Sequence, residues 1–143
     1  MIEGYRISSD QSELDIESIH GFISKSYWAE GIPMETLVKA ISNSLCFGVF
    51  GKEKGQVGFA RMVTDSATYA YLADVYILED HRGKGLSKWL MREIMSHSDL
   101  QGLRRITLAT ADAHGLYEKF GFSKLAKPEI FMENWKPEIY KNA

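Results

Sequence analysis

The sequence predicts an α/β fold of the α+β mixed kind, arranged as one domain over residues 1–143. Three observations carry this reading. Apolar and β-branched runs of strand length alternate with segments of helical spacing. The stretch from Tyr69 to Leu90 runs from an apolar strand through a glycine-containing turn straight into a helix. The chain's 143 residues are enough to bury one good core, and no repeat, low-complexity tract or linker divides them.

The elements follow in order. Gly4–Ser8 reads as a short first strand. Ile16, Ile19, Ile23 and Tyr27 recur at helical spacing, so residues 12–27 read as an amphipathic helix. Ala29-Glu-Gly-Ile-Pro33 breaks it, and Pro33 suits the first turn of a second helix through about Ser44. Leu45–Gly51 and Gln56–Thr64 read as strands around the hairpin loop Lys52–Gly55. A third strand leads into Gly83–His97, a helix with Leu86, Leu90 and Ile94 on one face. Residues 104–110 read as another strand, residues 112–121 as a short helix closed by Gly121, and residues 129–135 as a final strand.

Between strand and helix, Gly83 and Gly85 permit a tight turn and close approach of backbone to a ligand. The first amides of the following helix lack intrahelical partners and favour negative charge, and Arg82 and Lys84 add positive charge beside them. This is the chemistry of a diphosphate cradle. A P-loop is excluded because Gly83-Lys84 is followed by Gly85 and no glycine stands at the required upstream position. A dinucleotide fingerprint is excluded because Lys88 stands where its third glycine belongs.

The segment Arg82-Gly83-Lys84-Gly85-Leu86-Ser87 resembles the pyrophosphate loop of the GNAT acetyltransferases, Gln/Arg-x-x-Gly-x-Gly/Ala, with Ser87 departing at the last position. About thirty residues later, Ala113, Leu116, Tyr117, Gly121 and Phe122 fall in register with the family segment Asn-x-x-Ala-x-x-Leu-Tyr-x-x-x-Gly-Phe; Thr110 occupies the asparagine position. The resemblance covers residues 45–125 well. It implies the GNAT fold: a mostly antiparallel mixed sheet with a central splay and helices on both faces. It also implies acetyl-CoA as acyl donor, no metal, and direct attack by a primary amine in a ternary complex.

The resemblance distributes roles as follows. The pantetheine arm lies in the splay beside the backbone of Val75 and Ile77, with the Val75 amide as oxyanion donor. Arg82, Gly83, Lys84, Gly85, Leu86 and Ser87 hold the pyrophosphate. Thr110 stands where the family's asparagine meets the arm. Tyr117 reaches the sulfur and can protonate the departing thiolate. Each has a plainer structural reading too: Val75 and Ile77 as core strand residues, Tyr117 as a tyrosine packed on the sheet.

The base stays open between three options. Asp74 is a carboxylate inside an apolar strand, which burial could tune for proton abstraction or which could simply pair with an arginine. His114 precedes Tyr117 by three residues and has a suitable intrinsic pKa. A water relay is the third. For the acceptor, Tyr27 and Trp28 with Glu30 form an aromatic–acidic cluster suited to a cationic or aromatic amine, followed by the weaker candidates Tyr71 and Arg61.

Composition sets the outer bounds. Hydrophobic residues make up 45% and charged residues 25%, and seventeen basic against nineteen acidic residues give a net charge of −2. That balance argues against a general nucleic-acid or polybasic membrane partner. No apolar run has the length of a membrane span, and the N-terminus lacks a signal peptide's regions, so a cytoplasmic location is expected. Cys46 is the single cysteine and reads as a small buried hydrophobe rather than a nucleophile. The exposed strand ends and the Ile130-Phe131-Met132 run fit a homodimer. Two competing functions have distinct signatures: a non-catalytic acyl-CoA sensor would bind coenzyme without thiol release, and a longer-acyl transferase would prefer another thioester.

Overall fold

A computed structural model describes residues 1–53 and 55–142. One five-stranded sheet forms, in the order β1 (Tyr5–Ser8), β2 (Leu45–Gly51), β3 (Gly55–Thr64), β4 (Tyr69–Ile77), β5 (Arg105–Leu108). The first four strands are antiparallel neighbours, whereas β5 lies parallel to β4. Helices α1 (Ile16–Ile23) and α2 (Met34–Ser42) precede β2; α3 (Leu86–Ser96) and the short α4 (His114–Glu118) flank β5 in sequence. Among the described residues no helix is long and apolar enough to cross a membrane.

Apolar spacing places the helices. Ile19 and Ile23 of α1 meet Leu37 and Ile41 of α2 over Cys46, Phe59 and Tyr76 on one face of the sheet. On the other face Leu86, Leu90, Met91 and Ile94 of α3 pack on Val49, Val57, Met62 and Leu72. Each fully buried side chain of this size contributes roughly 1.5–3 kcal/mol. Gln56, buried in β3, ties the layers: its carbonyl accepts from the Asp15 amide at 2.8 Å and its amide donates to the Gly58 carbonyl at 3.0 Å. Gly58 is the tight point of the sheet, where a Cβ would meet Ile77 Cδ1 at 2.6 Å and the Tyr76 carbonyl oxygen at 3.0 Å.

Several boundaries differ from the sequence reading; α3 starts at Leu86 rather than Gly83, and α4 spans only His114–Glu118 within the expected 112–121. The first helix is shorter than residues 12–27. Asp15 caps α1 by accepting from the Ser18 amide at 3.1 Å, and a separate 3-10 turn, Gln11–Glu13, precedes it. At its other end Gly31, with φ +80°, donates to the Ser24 carbonyl at 2.9 Å and turns the chain toward Pro33, the N-cap of α2. The strand expected over residues 104–110 is only Arg105–Leu108, because its pairing with β4 stops there. The final strand expected over residues 129–135 does not form. Pro128–Ile130 is a 3-10 turn, and the residues after it run without a ladder partner. Strand-like composition is not sufficient where no edge is in register. The hairpin loop expected over 52–55 contains Lys54, which lies outside the described residues.

Candidate active site

The sheet opens where β4 outruns β5. Their parallel register extends from Tyr69 opposite Arg105 to Leu72 opposite Leu108 and ends. Residues 73–77 of β4 thus have no strand on that side. Opposite β3, two residues of β4, Asp74 and Val75, face the single Ala60, between the pairs Phe59–Tyr76 and Arg61–Ala73. Such a bulge bends its strand and re-aims its side chains. Asp74 sits in it with φ +57°, a left-handed conformation that aspartate tolerates better than most residues.

Each oxygen of the Asp74 carboxylate accepts one hydrogen bond. Trp28 Nε1 donates to Oδ1 and Arg61 Nε to Oδ2, both at 2.8 Å, and Arg61 Nη1 reaches Ser44 Oγ at 3.2 Å. The side chains of Arg61 and Asp74 are only 18% and 6% exposed, so the pair is largely desolvated. Trp28 comes from the α1–α2 connection, and so does Tyr27, whose hydroxyl accepts from the Ala111 amide at 3.2 Å. Two neighbouring aromatic residues therefore bridge the opening, one tied to β4 and the other to the loop after β5.

Beneath this bridge lies a cavity of about 600 Å³. Tyr71, Asp74, Val75 and Ile77 line it from β4, and Thr110, Asp112, Leu116 and Tyr117 from the segment after β5. Tyr117 is 8% exposed. Burial, then the nearby Tyr27 and Asp112, push its pKa above the ordinary phenol value, so it holds its proton. Tyr71 is raised as well, by burial first and then by the Asp74 charge. Thr110 is occupied locally: its hydroxyl accepts from the Ala113 amide at 3.1 Å and shapes the turn into α4.

A second hollow of about 340 Å³ adjoins the first and shares Ile77, Arg82, Ser87 and Leu116 with it. Gly83 (φ +79°) and Gly85 (φ +86°) form its floor, with Gly85 as the N-cap of α3. No side chain caps that helix, which leaves its first amides available. Arg82 is tied to the end of β4, since its Nε donates to the Ile77 carbonyl at 2.8 Å. His81, 8% exposed, is bound through Nδ1 to the Tyr5 hydroxyl at 2.8 Å and anchors the loop to β1.

The structure thus brings together Asp74, Val75, Ile77, Tyr71, Thr110, Tyr117, Tyr27 and Trp28 around one cavity, with Arg82, Gly83, Gly85, Leu86 and Ser87 at its neighbour. Lys84 is exposed on the same loop without lining either hollow. His114 and Glu30 are exposed and line neither. Asp112 and Phe22 line the main cavity without having been singled out from the sequence. Phe22, three residues after Ile19, stacks on Tyr76 at 4.0 Å and packs on the same cluster as Ile19 and Ile23. Cys46 is buried, and desolvation pushes its thiol up to about 12, the state of an inert packing residue. Among the described residues no group of three or more His, Cys, Asp or Glu is arranged to hold a metal ion.

Comparison with known proteins gives this pairing of splayed sheet and glycine-capped helix a family. Residues 43–124 match the model of the Acetyltransferase (GNAT) domain. A Gibberella zeae protein named as an acetyltransferase, FG08082, is 34% identical over 137 residues, covering 80% of this chain and 76% of its own. A Xanthomonas campestris pv. campestris crystal structure described as GNAT-family is 48% identical, with a TM-score of 0.93 over 98% of this chain and 99% of its own. A Deinococcus radiodurans structure shares the fold at 17% identity, with a TM-score of 0.74 over 96% of this chain and 92% of its own. The chain belongs to the GNAT acetyltransferase family, and it is an acyl-transferring enzyme.

Proposed function

We propose that this enzyme transfers the acetyl group of acetyl-CoA to a primary amine by direct attack in a ternary complex. One observation carries the reading. The run of β4 at residues 73–77, open on the side away from β3, shares a cavity with a buried tyrosine that keeps its proton, and that cavity adjoins the glycine-capped end of α3. In this reading the pantetheine arm lies along Val75 and Ile77. The pyrophosphate rests on the loop Arg82–Ser87, where backbone amides and helix dipole favour anions.

The amine nitrogen attacks the thioester carbonyl carbon, forming the C–N bond. The Val75 amide faces the oxygen that becomes negative, a role typically worth ~2.7–4 kcal/mol. The C–S bond then breaks, and Tyr117 gives its proton to the thiolate and regains one from solvent. The amine's surplus proton leaves through water in the open cavity. Asp74 is not assigned that proton, because its carboxylate is committed as the partner of the largely buried Arg61 charge and of Trp28, and His114 stands outside the cavity. Asp74 instead braces the bulge that aims Val75. Tyr27, Trp28 and Tyr71 form the acceptor side, with aromatic faces suited to a cationic or aromatic amine.

The test is a thiol-release screen of purified protein with acetyl-CoA against amines, amino acids and peptides. Amine-dependent release is the expected result. Coenzyme binding with no release across the panel would overturn transfer to an amine.

A further inference from the structure

The main cavity is unevenly charged. Among the described residues its lining carries one cation, Arg82, which belongs also to the cradle hollow and is tied by Nε to the Ile77 carbonyl at 2.8 Å. The same lining carries two carboxylates. Asp74 is matched by Arg61 at 2.8 Å. Asp112 takes part in none of the ion pairs formed among the described residues. The acceptor side therefore holds a negative charge with no cation set against it.

Asp112 stands beside the aromatic bridge. The Ala111 amide donates to the Tyr27 hydroxyl at 3.2 Å, which fixes the phenol next to residue 112, and Tyr27 meets Trp28 edge to face at 5.1 Å. Tyr27 is 65% exposed and Trp28 42%, so both rings keep surface open to a ligand. Asp112 is exposed too, and its charge is felt at the Tyr117 hydroxyl, whose pKa is raised by burial, by Tyr27 and by Asp112 in that order. A carboxylate and aromatic faces attract a cation together. A carboxylate or phosphate on the acceptor would meet an uncompensated anion here instead.

We propose that the acceptor is an aliphatic diamine, whose far ammonium rests between Asp112 and the rings of Tyr27 and Trp28 while its near amine is acetylated. This rests on the transfer reading above and narrows it, setting aside amino acids and other acidic acceptors. Asp112 reads the cation in place of Glu30, which lies outside the cavity. The second charge also serves the chemistry. Two ammonium groups on one short chain oppose each other, so the near one sheds its proton more readily than a monoamine does. That suits a site where Asp74 is committed to Arg61 and Trp28 and the proton leaves through water. The near nitrogen forms the C–N bond as before, and the far ammonium keeps its protons throughout.

Thiol release from acetyl-CoA is compared for alkylamines, α,ω-diamines and ω-amino acids of matched length, propyl to hexyl. Calorimetry of the CoA-loaded protein reads binding of the same compounds without turnover. The best diamine should exceed its monoamine by roughly 10-fold in kcat/KM and in affinity, as one partly exposed charge and a cation–π contact provide, with the amino acid poorest. Asp112→Asn should cut the diamine's affinity advantage to within ~3-fold, and Asp112→Lys should move the preference to the amino acid, with circular dichroism reporting the fold of both. A monoamine or amino acid bound and acetylated as well as the diamine at every length would overturn the diamine assignment and leave amine transfer standing. A diamine preference unmoved in both Asp112 variants would overturn it as well. Diamine binding in the expected order with no thiol release would instead overturn transfer and keep the cation site.

Discussion

Replacing Asp74 separates a structural brace from a base. Asparagine keeps one acceptor oxygen, so only one of Trp28 Nε1 and Arg61 Nε retains its partner. A hydrogen bond to a charged group is worth about 1.5–3 kcal/mol, and the partial exposure of Arg61 favours the lower end. Glycine accepts the left-handed backbone but leaves the guanidinium largely buried and unpaired, a loss near ~3 kcal/mol. Alanine adds the strain of φ +57°, about 1 kcal/mol more. Urea unfolding should therefore rank the chains wild type, Asn, Gly, Ala in falling stability. The pH–rate profile of Asp74→Asn should keep its shape, because the amine loses its proton to water. Disappearance of the acidic limb, with activity recovered at high pH, would make Asp74 the base and refute the brace. An alanine variant as stable as the glycine one would refute the strain.

Tyr117→Phe should lower kcat toward the low end of the ~10²–10⁴-fold typical of general acids, with acetyl-CoA affinity nearly unchanged since the ring still packs. Because burial raises the Tyr117 pKa, the wild-type alkaline limb from this residue should lie above the ~10 of a free phenol; a limb at lower pH that the Phe variant abolishes would contradict the assignment. At Gly85 a Cβ would meet only Ile2 Cδ1 at 3.6 Å, but Gly85→Val must adopt φ +86°, so calorimetry should show a lowered Tm together with a much larger loss of acetyl-CoA binding; unchanged affinity in the folded variant would remove the cradle. Cys46, with its thiol pushed up to about 12, should react with a thiol reagent only under denaturing conditions.

What the sequence determined by itself was local. The spacing of Ile19 and Ile23, and of Leu86, Leu90 and Ile94, marked the buried faces of α1 and α3 because burial on a helix repeats every three to four residues. Gly121 marked a helix close, with positive φ, because few other residues tolerate that backbone, whereas α3 begins at Leu86 behind Gly85 rather than at Gly83. Motif spacing placed Tyr117 and the Arg82–Ser87 loop in neighbouring segments, which proved to line adjoining hollows. Tertiary structure decided the rest. The bulge at Asp74 exists only because β3 offers one residue against two, and the carboxylate's partners lie 13 and 46 residues away. No local period encodes such distances. The same reason explains the C-terminal segment: Ile130-Phe131-Met132 has strand composition, but a strand is completed by an edge, and the hydrogen bonds that would make it one lie outside its own stretch of chain.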